Sequence, residues 1–272
     1  MSTIAYLGPE HTNTHLAALA KFGRRARYVH APTVDDVFHM VERRVAQYGV
    51  VPVENSLEGA VTHTLDRFID FVDTPLAIHG ELEQPIRHYF IHAGVPAGTV
   101  KWVFSHPQAL AQCRQWLRQH APQAVARETN STADAVNYVV QNPRQRAAIG
   151  RRELALQHRL RAIVIPEERV NKTRFLILGL KKPRKGRRNK TSILCALKDR
   201  PGALYDALTP FKRERINLTK IESRPSKKQA WEYYFFIDCA GHETDPHMRR
   251  ALRALSKHTT LLRVLGSYPV TA

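Results

Sequence analysis

At 272 residues the chain is long enough for two folded units, and its 43% hydrophobic against 24% charged residues exclude a wholly disordered chain. No apolar run approaches the roughly 20 residues that cross a bilayer, and the N-terminus, MSTIAYLGPEH, has neither the basic segment nor the apolar core of a secretory leader, so a cytoplasmic protein without a membrane partner is expected. The formal charge of +18 raises nucleic acid as a partner, but more than a third of it falls in residues 181–190, KKPRKGRRNK, which offer no aromatic side chain for base stacking and are interrupted by Pro183 and Gly186. That stretch reads as a solvated interdomain linker, and nucleic acid is not an expected partner.

In chain order, Thr3–Leu7 reads as a strand ending at the Gly8-Pro9 turn, and a helix begins near Thr14. A helix over Val34–Arg44, a short apolar strand over Tyr48–Val53, a polar turn at Glu54-Asn55-Ser56 and a helix over Thr64–Phe71 follow. Leu76–Leu82, Arg87–Ile91 and Trp102–Phe104 read as strands, and Pro107–His120 as an amphipathic helix. A further helix runs from Ser131-Thr132 to Val140, then come a strand at Ala147–Ile149 and a helix at Arg151–Gln157. This alternation argues for an α/β architecture, in which ligands sit beyond the carboxyl ends of strands, where these polar loops fall. After the basic stretch the order becomes strand Thr191–Leu197, helix Gly202–Arg213, strand Asn217–Arg224, strand Ala230–Cys239, helix Pro246–Lys257 and strand Leu261–Tyr268. That βαββαβ order is the ferredoxin-like arrangement of one small domain.

Taken singly, the polar loops have ordinary structural readings. Asn55, Ser56, Ser105 or Ser131 would cap a helix, and Thr173-Arg174-Phe175 would start a strand with a core phenylalanine. The pairs His11/His15 and His88/His92 have the spacing of metal ligands, but among fourteen histidines such pairs arise by chance, and no metal is expected. Cys113, Cys195 and Cys239 lie far apart and read as reduced residues.

Several strings taken together resemble the prephenate dehydratase family. They are Ala5-Tyr6-Leu7-Gly8-Pro9 with Thr12 and His15, the run from Val51 through Glu54-Asn55-Ser56 to Val61, Ser105-His106-Pro107-Gln108-Ala109-Leu110 with Gln112-Cys113, Ser131-Thr132-Ala133, Ala147-Ala148-Ile149-Gly150, and Asn171-Lys172-Thr173-Arg174-Phe175. Independently, Arg200-Pro201-Gly202-Ala203-Leu204, Asn217-Leu218 and Glu222-Ser223-Arg224-Pro225 resemble an ACT domain. The resemblance implies a two-lobed, type II periplasmic-binding-protein-like catalytic domain over 1–180 with a cleft between its lobes, the linker, and a ferredoxin-like βαββαβ ACT domain over 191–272. It also implies conversion of prephenate to phenylpyruvate, carbon dioxide and water, without a cofactor, in a homodimer or homotetramer inhibited by phenylalanine. Arogenate stays open as a competing substrate.

By the same resemblance Thr173 is the catalytic threonine, sized to hydrogen-bond the departing ring hydroxyl. An alcohol is a poor acid, so Glu54 is the candidate proton source if burial raises its pKa. Thr12, Asn55, Ser56, Ser105, Gln108, Ser131, Thr132 and Phe175 are candidate substrate contacts. Arg174 is assigned to the pyruvyl carboxylate or to loop architecture, because a cation clamped on the ring carboxylate would stabilise the ground state. Gly202, Ala203, Leu204, Asn217, Leu218, Glu222, Ser223 and Arg224 are the candidate phenylalanine contacts. The first loop departs from the family pattern. His11 stands where a second glycine is usual and Asn13 where an aromatic residue is usual, and glycine there permits positive φ. Histidine tolerates that backbone better than branched residues do, which leaves open an altered substrate preference or a catalytically silent amino-acid sensor.

Overall fold

The computed structural model describes residues 1–166, 170–226 and 232–270; Ala230 and Trp231, the expected start of a strand, lie outside them. In chain order the elements are β1 (Thr3–Leu7), α1 (Asn13–Phe22), β2 (Arg27–Ala31), α2 (Val34–Glu42), β3 (Tyr48–Asn55), β4 (Gly59–Ala60), α3 (Thr62–Asp70), β5 (Ala77–Pro85) and β6 (Tyr89–His92). Then come β7 (Trp102–Ser105), α4 (Pro107–Gln112), α5 (Arg114–His120), β8 (Val125–Glu128), α6 (Thr132–Gln141), β9 (Arg146–Gly150), α7 (Arg152–Gln157), β10 (Arg161–Val164) and β11 (Lys172–Gly179). The last six are β12 (Asn189–Leu197), α8 (Ala203–Arg213), β13 (Leu218–Pro225), β14 (Tyr233–Ala240), α9 (Pro246–Leu255) and β15 (Thr259–Pro269). No helix of the described residues is long and apolar enough to cross a membrane. The chain divides into two compact units, one of Met1–Leu7, Ala17–Gln84 and Thr173–Ala272, the other of Gly8–Leu16 and Pro85–Lys172.

The first unit contains two sheets, β2-β1-β3-β11-β5 with β4 added to β3, and β13-β14-β12-β15. Side chains alternate across a strand, and the second sheet uses both faces. Ile193, Cys195, Ile237 and Cys239 pack with Ala207 and Phe211 of α8 and Met248, Ala251 and Leu255 of α9. The alternate residues Leu194, Ala196, Tyr234 and Phe236 enter one core with Val51, Val53, Leu65, Phe68, Ile78 and Leu176 from the first sheet and its helices. Double burial explains why β12 and β14 read as near-continuous apolar runs. Gly266 marks the tightest approach between the sheets: a Cβ there would stand 2.2 Å from the Ile78 carbonyl oxygen, so only glycine fits. The segments before and after the basic stretch therefore share an interior within this unit.

The second unit holds the sheet β10-β6-β9-β7-β8, with β7 parallel to β8 and β9 and β6 antiparallel to β9. Alternation again divides the core, with Phe90, Val103, Ala147 and Ile149 on one face and Ile91, Ala148, Val136 and Val139 on the other. The expected helix over 107–120 is two helices that meet at Cys113, the C-cap of α4 and N-cap of α5. β2, β8 and β10 were not expected; β8 is exposed along its length and so lacks the apolar alternation by which strands are read.

Candidate active site

β3 continues through Glu54 and Asn55 instead of turning at them, and its antiparallel register with β11 sets Asn55 opposite Thr173 and Glu54 opposite Arg174. Neighbouring strand residues face opposite ways, so the uncharged pair occupies one face and the charged pair the other. On the first face Asn55 Nδ2 donates to Thr173 Oγ1 at 3.0 Å, with both side chains buried. Asn55 Oδ1 accepts from the N–H groups of Leu57 at 2.9 Å and Glu58 at 3.2 Å, which closes the turn into β4 and decides which end of the amide meets Thr173. A hydroxyl that accepts one hydrogen bond keeps its own proton to donate, and donates it more strongly for being polarised. Ser56 is exposed on the turn.

On the opposite face Arg174 donates through Nε to Glu81 at 2.7 Å, through Nη2 to Asp238 at 2.6 Å and through Nη1 to Glu54 at 3.4 Å. Burial alone would lower its pKa, but Asp238, Tyr268 and Glu81 outweigh that and shift it upward. Three carboxylates thus surround the Arg174 guanidinium. Glu54 also accepts from Lys220 Nζ at 2.9 Å, so it is a counter-ion to two cations. Phe175 is packed among Ile4, Tyr6, Ala17, Ala18 and Val50, which makes it a core residue and not a substrate contact.

In the second unit, Thr12 Oγ1 accepts from the His15 N–H at 3.3 Å as α1 begins, and the His11 N–H donates to His15 Nδ1 at 2.9 Å. His11 has φ +64, the left-handed backbone that a glycine would have supplied. His15 thus serves the loop internally, and burial lowers its pKa against the pull of Glu10. Among the described residues no group of three His, Cys, Asp or Glu side chains is placed to hold a metal ion. Asn13 Oδ1 accepts from Arg151 Nη1, an arginine that sequence reasoning passed over because nothing in its local pattern points at the first loop. Ser131 caps α6 by accepting from the Asp134 N–H at 3.0 Å, and Thr132 follows as the first helical residue. Ser105 is fully buried and donates to the Ile149 carbonyl at 2.8 Å, a tie between β7 and β9. Gln108 is exposed on α4, while Gln112 one turn later is the engaged amide, accepting from His88 Nε2 at 2.8 Å and Asn171 Nδ2 at 3.0 Å.

In the C-terminal sheet Gly202 takes φ +77 ahead of α8, a conformation that costs other residues. The Gly202-Ala203-Leu204 turn lines a cavity of about 510 Å³ with Leu197, Lys198, Asp199, Arg200, Glu232, Tyr233 and Phe235. Register sets Ser223 opposite Phe235, beside this cavity, whereas Leu218 lies opposite Cys239 at the far end of β13, with Asn217 just before it. Arg224 faces the other side of the sheet and forms a two-pronged pair with Asp66 of α3 at 3.0 and 3.2 Å. Glu222 shares that face by alternation, so these two charged residues do not meet the Gly202 turn within one chain. The basic stretch is tied down more than a solvated linker would be: Lys182 pairs with Glu243 at 2.7 Å, and Lys185 pairs with Asp245, holding that carboxylate's pKa down.

Over residues 4–183 the sequence matches the prephenate dehydratase family, and over residues 191–257 the ACT domain. It is 44% identical over 268 residues to the bifunctional chorismate mutase/prephenate dehydratase of Aquifex aeolicus, covering 98% of this chain and 73% of that one. It is 41% identical over 244 residues to the prephenate dehydratase of Methanocaldococcus jannaschii, covering 88% and 86% of the two chains. The structure of prephenate dehydratase in complex with L-Phe from Arthrobacter aurescens matches with a TM-score of 0.87 and 33% identity, over 98% of this chain and 89% of that one. A threonine held by an asparagine across two strands, joined to a ligand-sized cavity in a ferredoxin-like sheet, is thus found in a sequence that matches one family along nearly its whole length: the chain belongs to the prephenate dehydratase family.

Proposed function

We propose a division of labour for the family's reaction, the decarboxylating dehydration of prephenate to phenylpyruvate, carbon dioxide and water. The observation that carries it is the Asn55–Thr173 hydrogen bond. As the ring carboxylate leaves as carbon dioxide, its bonding electrons enter the ring and expel the ring hydroxyl, which takes up one proton, drawn ultimately from solvent, and departs as water. Thr173 donates its hydrogen bond to that oxygen, where negative charge develops, and Asn55 fixes the direction of the donation. Glu54 and Arg174 keep the two strands in register.

The C-terminal cavity suits an aromatic amino acid. Leu197, Tyr233 and Phe235 provide an apolar wall, Lys198 and Arg200 cations for a carboxylate, and Asp199 and Glu232 anions for an ammonium group. By likeness to the phenylalanine complex, that amino acid is phenylalanine, and it inhibits by binding the less active state more tightly. We place the enzyme in the cytoplasm as a homodimer or homotetramer joined through β13. Among the described residues that strand pairs on one side only, with β14. Two-fold antiparallel pairing there would bring the Asn217-Leu218 end of one copy beside the Pro225 end of the other, which accounts for sensing motifs that stay apart within one chain.

The test is turnover of prephenate, with arogenate run alongside, by the parent chain and by Thr173→Val, which keeps the shape and removes the hydroxyl. A fall in kcat of about 10²- to 10³-fold with little change in KM is expected; a parental kcat in the folded variant would end this reading.

A further inference from the structure

The charged face behind Thr173 is more regular than holding one strand in a sheet requires. Arg174 and Glu54 are register partners on β11 and β3. Facing them, Lys220 and Asp238 are register partners on β13 and β14. The two pairs meet acid to base: Arg174 with Asp238 at 2.6 Å and Glu54 with Lys220 at 2.9 Å, while Arg174 and Glu54 close the figure at 3.4 Å. A second tier supports it. Glu81 takes both Arg174 at 2.7 Å and Lys190 at 2.5 Å. The other oxygen of Asp238 accepts from Ser192 at 2.6 Å, and the Ser192 hydroxyl is 2.9 Å from that of Tyr268. Ion pairs this buried hold their geometry tightly, since removing one member strands the other charge away from water.

Two of the links that bear on Thr173, those from Asp238 and Lys220, come from β14 and β13 of the ACT sheet, beside Glu81 of β5. Arg174 is the next residue after Thr173, and the β3–β11 register shifts between Arg174 and Phe175. Irregularities of that kind re-aim the neighbouring side chains, so whatever holds Arg174 also sets where the Thr173 hydroxyl points. β14, moreover, begins with Tyr233 and Phe235, which wall the amino-acid cavity, and three residues further along the same strand carries Asp238.

We infer that Asp238 and Lys220 are positioning residues for the dehydration: through Arg174 and Glu54 they hold the aim of Thr173 and Asn55, and β14 carries the state of the amino-acid cavity to that aim. The inference rests on the assignment of Thr173 as the hydrogen-bond donor. It gives the ACT sheet a part in catalysis when no effector is bound, and it gives inhibition a mechanical route through one strand.

The experiment uses the full chain and the variant Asp238→Asn, which keeps the side chain's shape and removes its charge. Expected is a kcat lowered by about 30- to 100-fold, the scale of a misplacement of roughly 1 Å, with KM for prephenate within about twofold of the parent. Phenylalanine should still bind, measured by calorimetry, but should no longer change turnover, and prephenate should no longer change phenylalanine affinity, because coupling is reciprocal. A generally loosened structure would not separate kcat from KM or binding from coupling in this way. A folded Asp238→Asn chain with kcat within threefold of the parent and intact inhibition overturns the inference. If that variant does not fold, Lys220→Met decides: a kcat loss of fivefold or more at constant KM supports the inference, and a smaller loss refutes it. Thr173→Val is measured in parallel, so that a failed assignment of Thr173 is seen in that variant, independently of what the Asp238 and Lys220 variants show.

Discussion

The two units differ in whether charge is buried alongside neutral polar groups such as Asn55 and Thr173. The first buries charge in pairs: Arg174 with Glu81 and Asp238, Lys190 with Glu81, and Arg224 with Asp66. The second buries neutral groups: His88 and Asn171 share the oxygen of Gln112, Ser105 donates to a strand carbonyl, and burial lowers the pKa of both His88 and His92. Paired charges are stiff and selective, because half a pair is costly; neutral networks lose less when broken but fail when one member gains a proton. The stiff arrangement lies directly behind the residue assigned to the chemistry, where angular error matters most.

The sharpest way to break this contrast is Arg174→Met. It leaves Glu81 and Asp238 without their shared cation, and a loss of about 3–5 kcal/mol in denaturant unfolding is expected. A loss confined to KM would restore Arg174 to a substrate carboxylate. The counterpart in the second unit is Gln112→Leu, which removes the acceptor of His88 and Asn171 at nearly constant volume; about 1–3 kcal/mol is expected. A cost equal to that of Arg174→Met would erase the distinction between the units.

Acid separates them further. In the folded chain His88 has a pKa below the ordinary 6.5, first through burial and then through Arg151, with Gln112 opposing. The unfolded chain therefore takes up the proton first as pH falls. Stability is complete above 6.5 and declines as pH drops through the lowered value, so thermal midpoints should fall on that acid limb. His88→Gln, neutral throughout, should flatten the limb, and an unchanged slope would remove His88 from the account. The smallest effect is expected from Glu214→Gln. Arg250 and His247 hold that carboxylate at about 2, but both partners are exposed to solvent, so the thermal midpoint near neutral pH should scarcely move.

Much of the fold was legible because its signals are local. Alternating strands and helices, the βαββαβ order after residue 190, the Ser131 cap and the Gly202 turn each follow from residues within a few positions of one another. Strands with weak alternation escaped, as the exposed β8 did. Among candidate site residues, Thr173 and Asn55 belong to strings that carry the resemblance, and the structure brings them into direct contact. Arg174, Glu54, Phe175 and Arg224 belong to those same strings, and there the structure shows ion pairs with neighbouring elements or packing in the core. A motif is shared equally by residues that touch a ligand and by residues that hold the ones that do.

By itself the sequence determined most of the element order, the family, and the presence of Asn55 and Thr173 in its motifs; the fold decided that the two face each other across β3 and β11. Tertiary structure alone decided what lies behind that pair. Glu81, Asp238 and Lys220 are distant from Thr173 in the chain and stand in unremarkable local contexts, and only the packing of two sheets into one core places them around Arg174. Periodicity shows which face of a strand is buried, whereas the partner of a buried charge depends on which sheet comes to rest against it.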